Sequence, residues 1–278
     1  MTIANYQIND HEFEKIRKLV YQEFGINLTE KKKLLVVNRL QKVLKQNGLK
    51  SFSEYFEYIK ADKTNTALSE LVNKISTNHT FFYRESAHFE QLRNERLPQI
   101  VETLSKIGNK DLRVWCAGSS SGEESSTIMM IIKDVLGSDY SSWKAGLLAT
   151  DICEDVLKFA KVGIYDTDKI AALPVDLRNK YVEKVSSTTS KIKREVLGEI
   201  TYRKFNLMHS FPFKKQFHVI FCRNVMIYFD QVTREALVKR FMGHLVEGGL
   251  LFIGHSESLS EVEGLVSISP SLYRKGTS

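Results

Sequence analysis

Apolar side chains in the first eighty residues recur at helical spacing. Phe13, Ile16, Leu19, Val20 and Phe24 follow Asn9 and Asp10, either of which can cap the run, and Gly25 closes it. Thr29 opens a second predicted helix, with Leu34, Leu35, Val37, Leu40, Val43 and Leu44 on its apolar face and Gly48 at its end. A third begins at Ser53 with Phe56 and Ile59, and Leu68, Leu71, Val72 and Ile75 mark a fourth. Connections this short predict a helical bundle. From 86 to 106 a longer amphipathic helix carries Phe89, Leu92, Leu97, Ile100 and Leu104.

After Lys110 the pattern becomes apolar strand, turn, helix. LRVWCAG precedes GEESSTIMMIIKDVLG, and AGLLATDI precedes CEDVLKFAKVGIY. ITYRKFNL and FHVIFCRNV read as a third and a fourth strand, followed by the helix DQVTREALVKRFMGHL and a last core strand, GLLFIGHS. Buried runs alternating with helices predict a mostly parallel sheet covered on both faces, an α/β fold. A polar stretch, SSTTSKIKRE, breaks the rhythm and predicts a small antiparallel excursion at about 180–201. The expected organisation is a helical domain over 1–78, a linker with a bridging helix over 79–108, and an α/β domain over 109–278.

Composition narrows the picture. With 278 residues, 42% hydrophobic and 26% charged, the chain can bury two cores. It opens without a basic-then-apolar leader, and no apolar run approaches the roughly eighteen residues needed to cross a bilayer, so a cytoplasmic protein without membrane insertion is expected. Cys116, Cys153 and Cys222 form no CxxC pair; they read as small buried hydrophobes, and no metal is expected. The net charge of +7 favours an acidic partner.

In such sheets a ligand sits beyond the carboxyl ends of the strands. The loop after the first strand, 117–123, is made of small residues and lets a backbone approach a ligand closely. It lacks G-x-G-x-x-G spacing, and Glu123 in it disfavours a diphosphate and favours a cationic or hydroxyl end; an ordinary helix-capping acid is the plain alternative. Asp151 ends the second strand, where an acid can hold the two hydroxyls of a ribose or simply cap the next helix. Asn206 ends the third and can read an adenine amino group or form a turn. Arg223 follows four apolar residues and, with Asn224, ends the fourth; a guanidinium there requires a fixed partner. A nucleoside without polyphosphate fits this set, and S-adenosylmethionine fits best.

The segments TNHTFFYRE, VWCAGSSSGEE, ATDI, FCRNVMIYFD and GGLLFIGHSESL resemble, in order and wording, the CheR family of chemotaxis receptor methyltransferases. The resemblance runs from the helical bundle almost to the C-terminus. It implies an N-terminal all-α domain joined to a Rossmann-like S-adenosylmethionine-dependent methyltransferase domain with a small β-subdomain. It also implies a cofactor site at Asn78, Thr80, Arg84, Glu123, Asp151, Asn206, Leu207, Arg223 and Asn224, with S-adenosylhomocysteine as product. Ser125 and Ser126 stand where the family usually has Pro-Tyr.

The implied reaction esterifies glutamate side chains of methyl-accepting chemotaxis receptors. A glutamate is already ionised at neutral pH, so no general base is required. Arg84 and Tyr228 are the candidates for holding the incoming carboxylate. Residues 31–50 hold seven Lys or Arg and no Asp or Glu; Lys31, Lys32, Lys33, Arg39, Lys42 and Lys45 can steer an acidic receptor helix, although a solvated helix face also explains a lysine run. The excursion has no glycine over 186–193, unlike members that grip a receptor C-terminal pentapeptide, so direct docking by a monomer is expected. Two other readings are a catalytically silent S-adenosylmethionine-binding adaptor and a nucleic-acid methyltransferase. The second is disfavoured because Arg223-Asn224-Val225-Met226 stands where an Asn-Pro-Pro-aromatic motif would, and no nucleic-acid partner is expected.

Overall fold

The computed structural model describes residues 6–259 and 262–276. They fall into two compact units, one running to Thr77 and including Tyr228–Thr233, the other comprising Asn78–Ile227 and the chain from Arg234 onward.

The smaller unit holds α1 (Asp10–Phe24), α2 (Lys33–Gln46), α3 (Phe52–Ala61) and α4 (Thr66–Ile75). Asn9 and Glu12 form a reciprocal capping box at the start of α1, and Gly25 ends that helix at φ 68°, a left-handed conformation natural to glycine. Thr29 makes no side-chain cap and leads instead into a 3-10 turn, Glu30–Lys32, before α2. Ser51, two residues earlier than the pattern suggests, caps α3 by accepting from Glu54 N at 3.1 Å. Ser53 is engaged elsewhere: its N–H and hydroxyl donate to buried Glu12 Oε1 at 2.9 and 2.8 Å, tying α3 to α1.

Beyond Thr77 the 86–106 segment is continuous but not uniform. α5 (Ser86–Gln91) and α6 (Leu97–Lys106) flank a π turn, Leu92–Arg96, in which Leu97 N bonds Leu92 O. Pro98 lacks the N–H that an α-helical register would offer Asn94, which accounts for the wider turn just before it.

Then follow β1 (Val114–Ala117), α7 (Glu123–Leu136), β2 (Leu147–Asp151), α8 (Glu154–Val162), β3 (Ile164–Asp166), α9 (Thr167–Ile170), α10 (Val175–Tyr181), β4 (Val182–Lys184), β5 (Thr189–Ile192), α11 (Arg194–Leu197), β6 (Ile200–Lys204), β7 (Phe217–Cys222), α12 (Gln231–His244), β8 (Leu245–Ile253), β9 (Leu265–Ser269) and β10 (Leu272–Lys275). The main sheet runs β6-β2-β1-β7-β8-β10-β9, with the first five strands parallel. β1 and β7 are buried at every residue, as strands covered on both faces require. β10 and β9 add antiparallel at one edge and were not evident in the sequence pattern, because each is a short run with polar residues among the apolar ones.

The chain moves from β1 outward through β2 to β6, then returns to β7 on the other side of β1. That reversal opens a crevice at the carboxyl ends of β1 and β7. β3, β5 and β4 form a separate three-stranded antiparallel sheet. β3 lies upstream of the expected excursion: Gly163, left-handed at φ 65°, stops α8 and turns Ile164 and Tyr165 into the small sheet. No helix among the described residues is long and apolar enough to cross a membrane.

Candidate active site

The loop between β1 and α7 is shaped by left-handed backbone at Gly118 (φ 94°), Ser120 (φ 47°) and Gly122 (φ 95°). Gly118 N and Ser119 N both donate to Thr150 O, at 2.8 and 2.9 Å, which fixes the loop against the end of β2. A Cβ on Gly118 would strike Val225, and one on Gly122 would come within 2.6 Å of Ala160 Cβ and 2.9 Å of the Tyr165 hydroxyl. Glycine is required at both positions by conformation and by space.

Asp151 is 8% exposed. Its Oδ2 accepts from Ser120 N at 2.8 Å and its Oδ1 from Cys153 N at 2.9 Å. Cys153, not Asp151, occupies the N-cap position of α8. Burial raises the Asp151 pKa and the backbone donors oppose that shift. A carboxylate offers about four lone-pair sites, so acceptor capacity remains for ligand hydroxyls. Glu123 opens α7, is 3% exposed, and accepts from the Ser121 hydroxyl at 2.6 Å; burial raises its pKa also.

Arg223 has the fixed partners that its burial demands. With no exposed side-chain surface, it donates to Glu124 Oε2 at 2.9 Å and Glu85 Oε2 at 3.1 Å, and also to the Arg84 carbonyl. Glu85 in turn accepts from Asn224 Nδ2 at 3.2 Å and His255 N at 3.1 Å. Glu257, 5% exposed, accepts from Asn224 N at 2.9 Å and Ile227 N at 3.1 Å. Arg223 and Asn224 are thus held by acids on three segments, half-buried Glu85 and Glu124 and buried Glu257.

Asn206 is half-buried, and its Oδ1 accepts from Met208 N at 3.0 Å in an Asx turn; Leu207 beside it is buried. Phe205 N donates to Asp151 O at 2.9 Å, so this turn adjoins the Asp151 strand end. Asn78 joins the β1–α7 loop through its carbonyl, which accepts from Ser120 Oγ at 3.2 Å. Thr80 is half-buried nearby in sequence. Arg84 donates to His79 O at 2.9 Å and lies 5.8 Å from the Phe81 ring centre; its neighbour Glu85 pairs with Arg223 instead.

Tyr228 groups with the helical unit, where its hydroxyl donates to Thr77 O at 3.1 Å and its carbonyl accepts from Asn27 N at 2.8 Å. The basic candidates there divide. Arg39 closes the end of α4 by donating to Ile75 O at 2.6 Å and Ser76 O at 3.1 Å, and Lys33 pairs with Asp10. Lys32 lies 5.8 Å from the Tyr228 ring centre. Lys31, Lys42 and Lys45 are exposed.

Glu85, Glu124, Glu257 and Ser120 have site contacts that spacing alone did not single out. All four lie inside the resembling segments, and the three acids are followed or preceded by small or charged residues that give no hint of burial. Glu85, His88 and His255 bring ligating atoms within 4.8 Å of one another, but Arg223 already neutralises the carboxylate of that trio. Burial lowers the His88 pKa to about 4, with Arg223 adding to the effect.

Residues 78–273 match the family model for the CheR methyltransferase S-adenosylmethionine-binding domain, and residues 11–76 match its all-alpha domain. The chain belongs to the CheR methyltransferase family. It is 43% identical to a chemotaxis protein methyltransferase of Borreliella burgdorferi over 98% of this chain and 96% of that one. A probable chemotaxis protein methyltransferase of Rhizobium etli is 37% identical, covering 87% and 90% of the two chains, and the chemotaxis protein methyltransferase of Escherichia coli is 33% identical, covering 92% and 87%. The protein is therefore an S-adenosylmethionine-dependent methyltransferase of the chemotaxis type. The crevice suits that group: Ser119 Oγ is buried there without a hydrogen-bond partner among the described residues, two glycines keep side chains out of the loop, and Asp151 retains acceptor capacity.

Proposed function

We propose that this protein transfers a methyl group to glutamate side-chain carboxylates of methyl-accepting chemotaxis receptors, giving 5-O-methyl esters. The observation that carries the cofactor half of this reading is the pair of buried acids, Glu123 at the start of α7 and Asp151 at the end of β2. Acids there repel a phosphate and receive hydroxyls or a cationic group. When bound, S-adenosylmethionine supplies a methyl group activated by a sulfonium. Asp151 would accept from the ribose hydroxyls, Asn206 and Leu207 would border the adenine, and Glu123, Asn78 and Thr80 would line the remainder.

An incoming glutamate needs no deprotonation at neutral pH, since its reference pKa is about 4.3. The protein's task is then to orient that carboxylate in line and to replace water around it. Arg84 and Tyr228 take this role, the phenol hydroxyl being a milder partner than a full ion pair and so less stabilising to the ground state. Lys31, Lys42 and Lys45 would attract the acidic receptor helix directly, with no need for capture of a receptor tail. The test is transfer of tritiated methyl from S-adenosylmethionine to purified receptor, followed by mild alkali. Release of the label as methanol supports the reading; alkali-resistant label, or none, sinks it.

A further inference from the structure

We infer that Tyr165, on β3 of the small antiparallel sheet, is a positioning residue for the cofactor. Its hydroxyl donates to Ser121 O at 2.7 Å, in the turn between the two left-handed glycines of the β1–α7 loop. The same ring packs edge-on against Phe82 at 4.9 Å and against Phe159 at 5.4 Å. Phe82 is fully buried and lies between Thr80 and Arg84. One side chain thus braces the two segments that carry Glu123 on one hand and Asn78, Thr80 and Arg84 on the other. Gly122 is already in tight register with it, since a Cβ there would come within 2.9 Å of the phenol oxygen.

The arrangement has a physical reason. A loop built of left-handed residues has few internal hydrogen bonds to hold its shape, and it must present backbone to a ligand. Thr150 O and Asp151 hold its first half, and an external donor to the Ser121 carbonyl extends that rigidity to its second half before the ligand arrives, so binding costs less ordering. The donor comes from a strand whose backbone is fixed by pairing Tyr165 opposite Ser190, which makes the small sheet part of the cofactor site's support.

The inference rests on S-adenosylmethionine binding in the crevice, and the test separates the two. Tyr165→Phe keeps the ring contacts and removes only the hydroxyl. Calorimetry with S-adenosylhomocysteine should show affinity weakened roughly five- to tenfold, the scale of one lost buried hydrogen bond, and deuterium uptake in 117–126 of the ligand-free protein should rise. Tyr202→Phe is the comparison: Tyr202 is equally buried, and its hydroxyl meets Ser125 Oγ at 3.2 Å in the first turn of α7, reaching the Gly122 carbonyl only through that serine and not bonding the Ser121 carbonyl. It should lower the melting temperature while leaving affinity within twofold. Unchanged affinity in Tyr165→Phe, or equal losses in both variants, overturns the positioning role while the cofactor reading stands. Failure of the wild-type protein to bind S-adenosylhomocysteine removes both.

Discussion

Arg223 and Glu124 meet at 2.9 Å with the guanidinium wholly buried, joining the end of β7 to the first turn of α7. Glu85 completes the triad, and burial raises the Glu124 pKa while Arg223 opposes that shift. Breaking a buried ion network leaves uncompensated charge, at a cost of about 3–5 kcal/mol. Arg223→Ala should therefore lower unfolding stability by that order in urea titrations. A loss under 1 kcal/mol would mean that Arg223 serves the ligand and hardly the fold.

Asp151→Ala should weaken S-adenosylhomocysteine binding by about 1.5–3 kcal/mol, the range for a hydrogen bond to a charged group. Asp151→Asn should fall between, since an amide keeps one acceptor for Ser120 N or Cys153 N and loses the other. Calorimetry giving wild-type affinity for both variants would take Asp151 out of the cofactor site.

Asp151 and Glu123 could be singled out from the sequence because an acid at a strand end, or at the start of the helix that follows a strand, has a position that follows from topology. The parallel core followed equally from the apolar runs 114–117 and 217–222. The acids around Arg223 are not legible in the same way. Glu124 meets its guanidinium across 99 residues and Glu85 across 138, and local spacing carries no signal of contacts that distant. β9 and β10 escape for a different reason: β10 is held between β8 and β9, β9 is an edge strand held by β10, and strands stabilised by such pairing need not show an apolar run. The start of α3 was displaced because Ser53 is claimed by Glu12, leaving Ser51 to cap.

His218 gives the pH dependence a sign. Its Nδ1 accepts from Arg113 N at 3.0 Å, and burial, with Arg113 adding, lowers its pKa from 6.5 to about 4. The unfolded chain therefore binds a proton more readily than the folded one between those values, so stability is full above pH 6.5 and declines as pH falls toward 4. At pH 5 the cost is about 2 kcal/mol for this group. His218→Asn, which can still accept from Arg113 N, should flatten part of the decline in melting temperature between pH 7.5 and 5. An unaltered slope would assign the decline elsewhere, His88 being the next candidate.

Arg84→Ala and Tyr228→Phe should lower methyl transfer at least tenfold while shifting the melting temperature by no more than about 2 °C. Arg84 is half-buried with one carbonyl partner, and the Tyr228 hydroxyl likewise has one, so neither side chain anchors a core. General positioning effects of this kind commonly reach 10²-fold. Full turnover in Tyr228→Phe would leave only the ring in use.

The receptor-docking prediction turns on which basic residues are free to act. Arg39 is committed to the carbonyls at the end of α4, so Arg39→Ala should destabilise the helical unit and is a poor probe of docking. Lys42 and Lys45 are exposed on α2, and Lys45 lies eleven positions, three turns, from Leu34, which is 76% exposed on the same face. With Lys31 they make a basic face with an apolar residue on it, the complement of an acidic amphipathic helix. Lys31→Glu, Lys42→Glu and Lys45→Glu together should raise the Michaelis constant for receptor at least tenfold and leave S-adenosylhomocysteine affinity unchanged. The wild-type receptor Michaelis constant should rise steeply with salt, because exposed charges are screened over about 8 Å at physiological ionic strength. Removing the receptor's last residues should change little. Loss of methylation on that truncation, with the triple reversal silent, would move receptor recognition from α2 to the small antiparallel sheet.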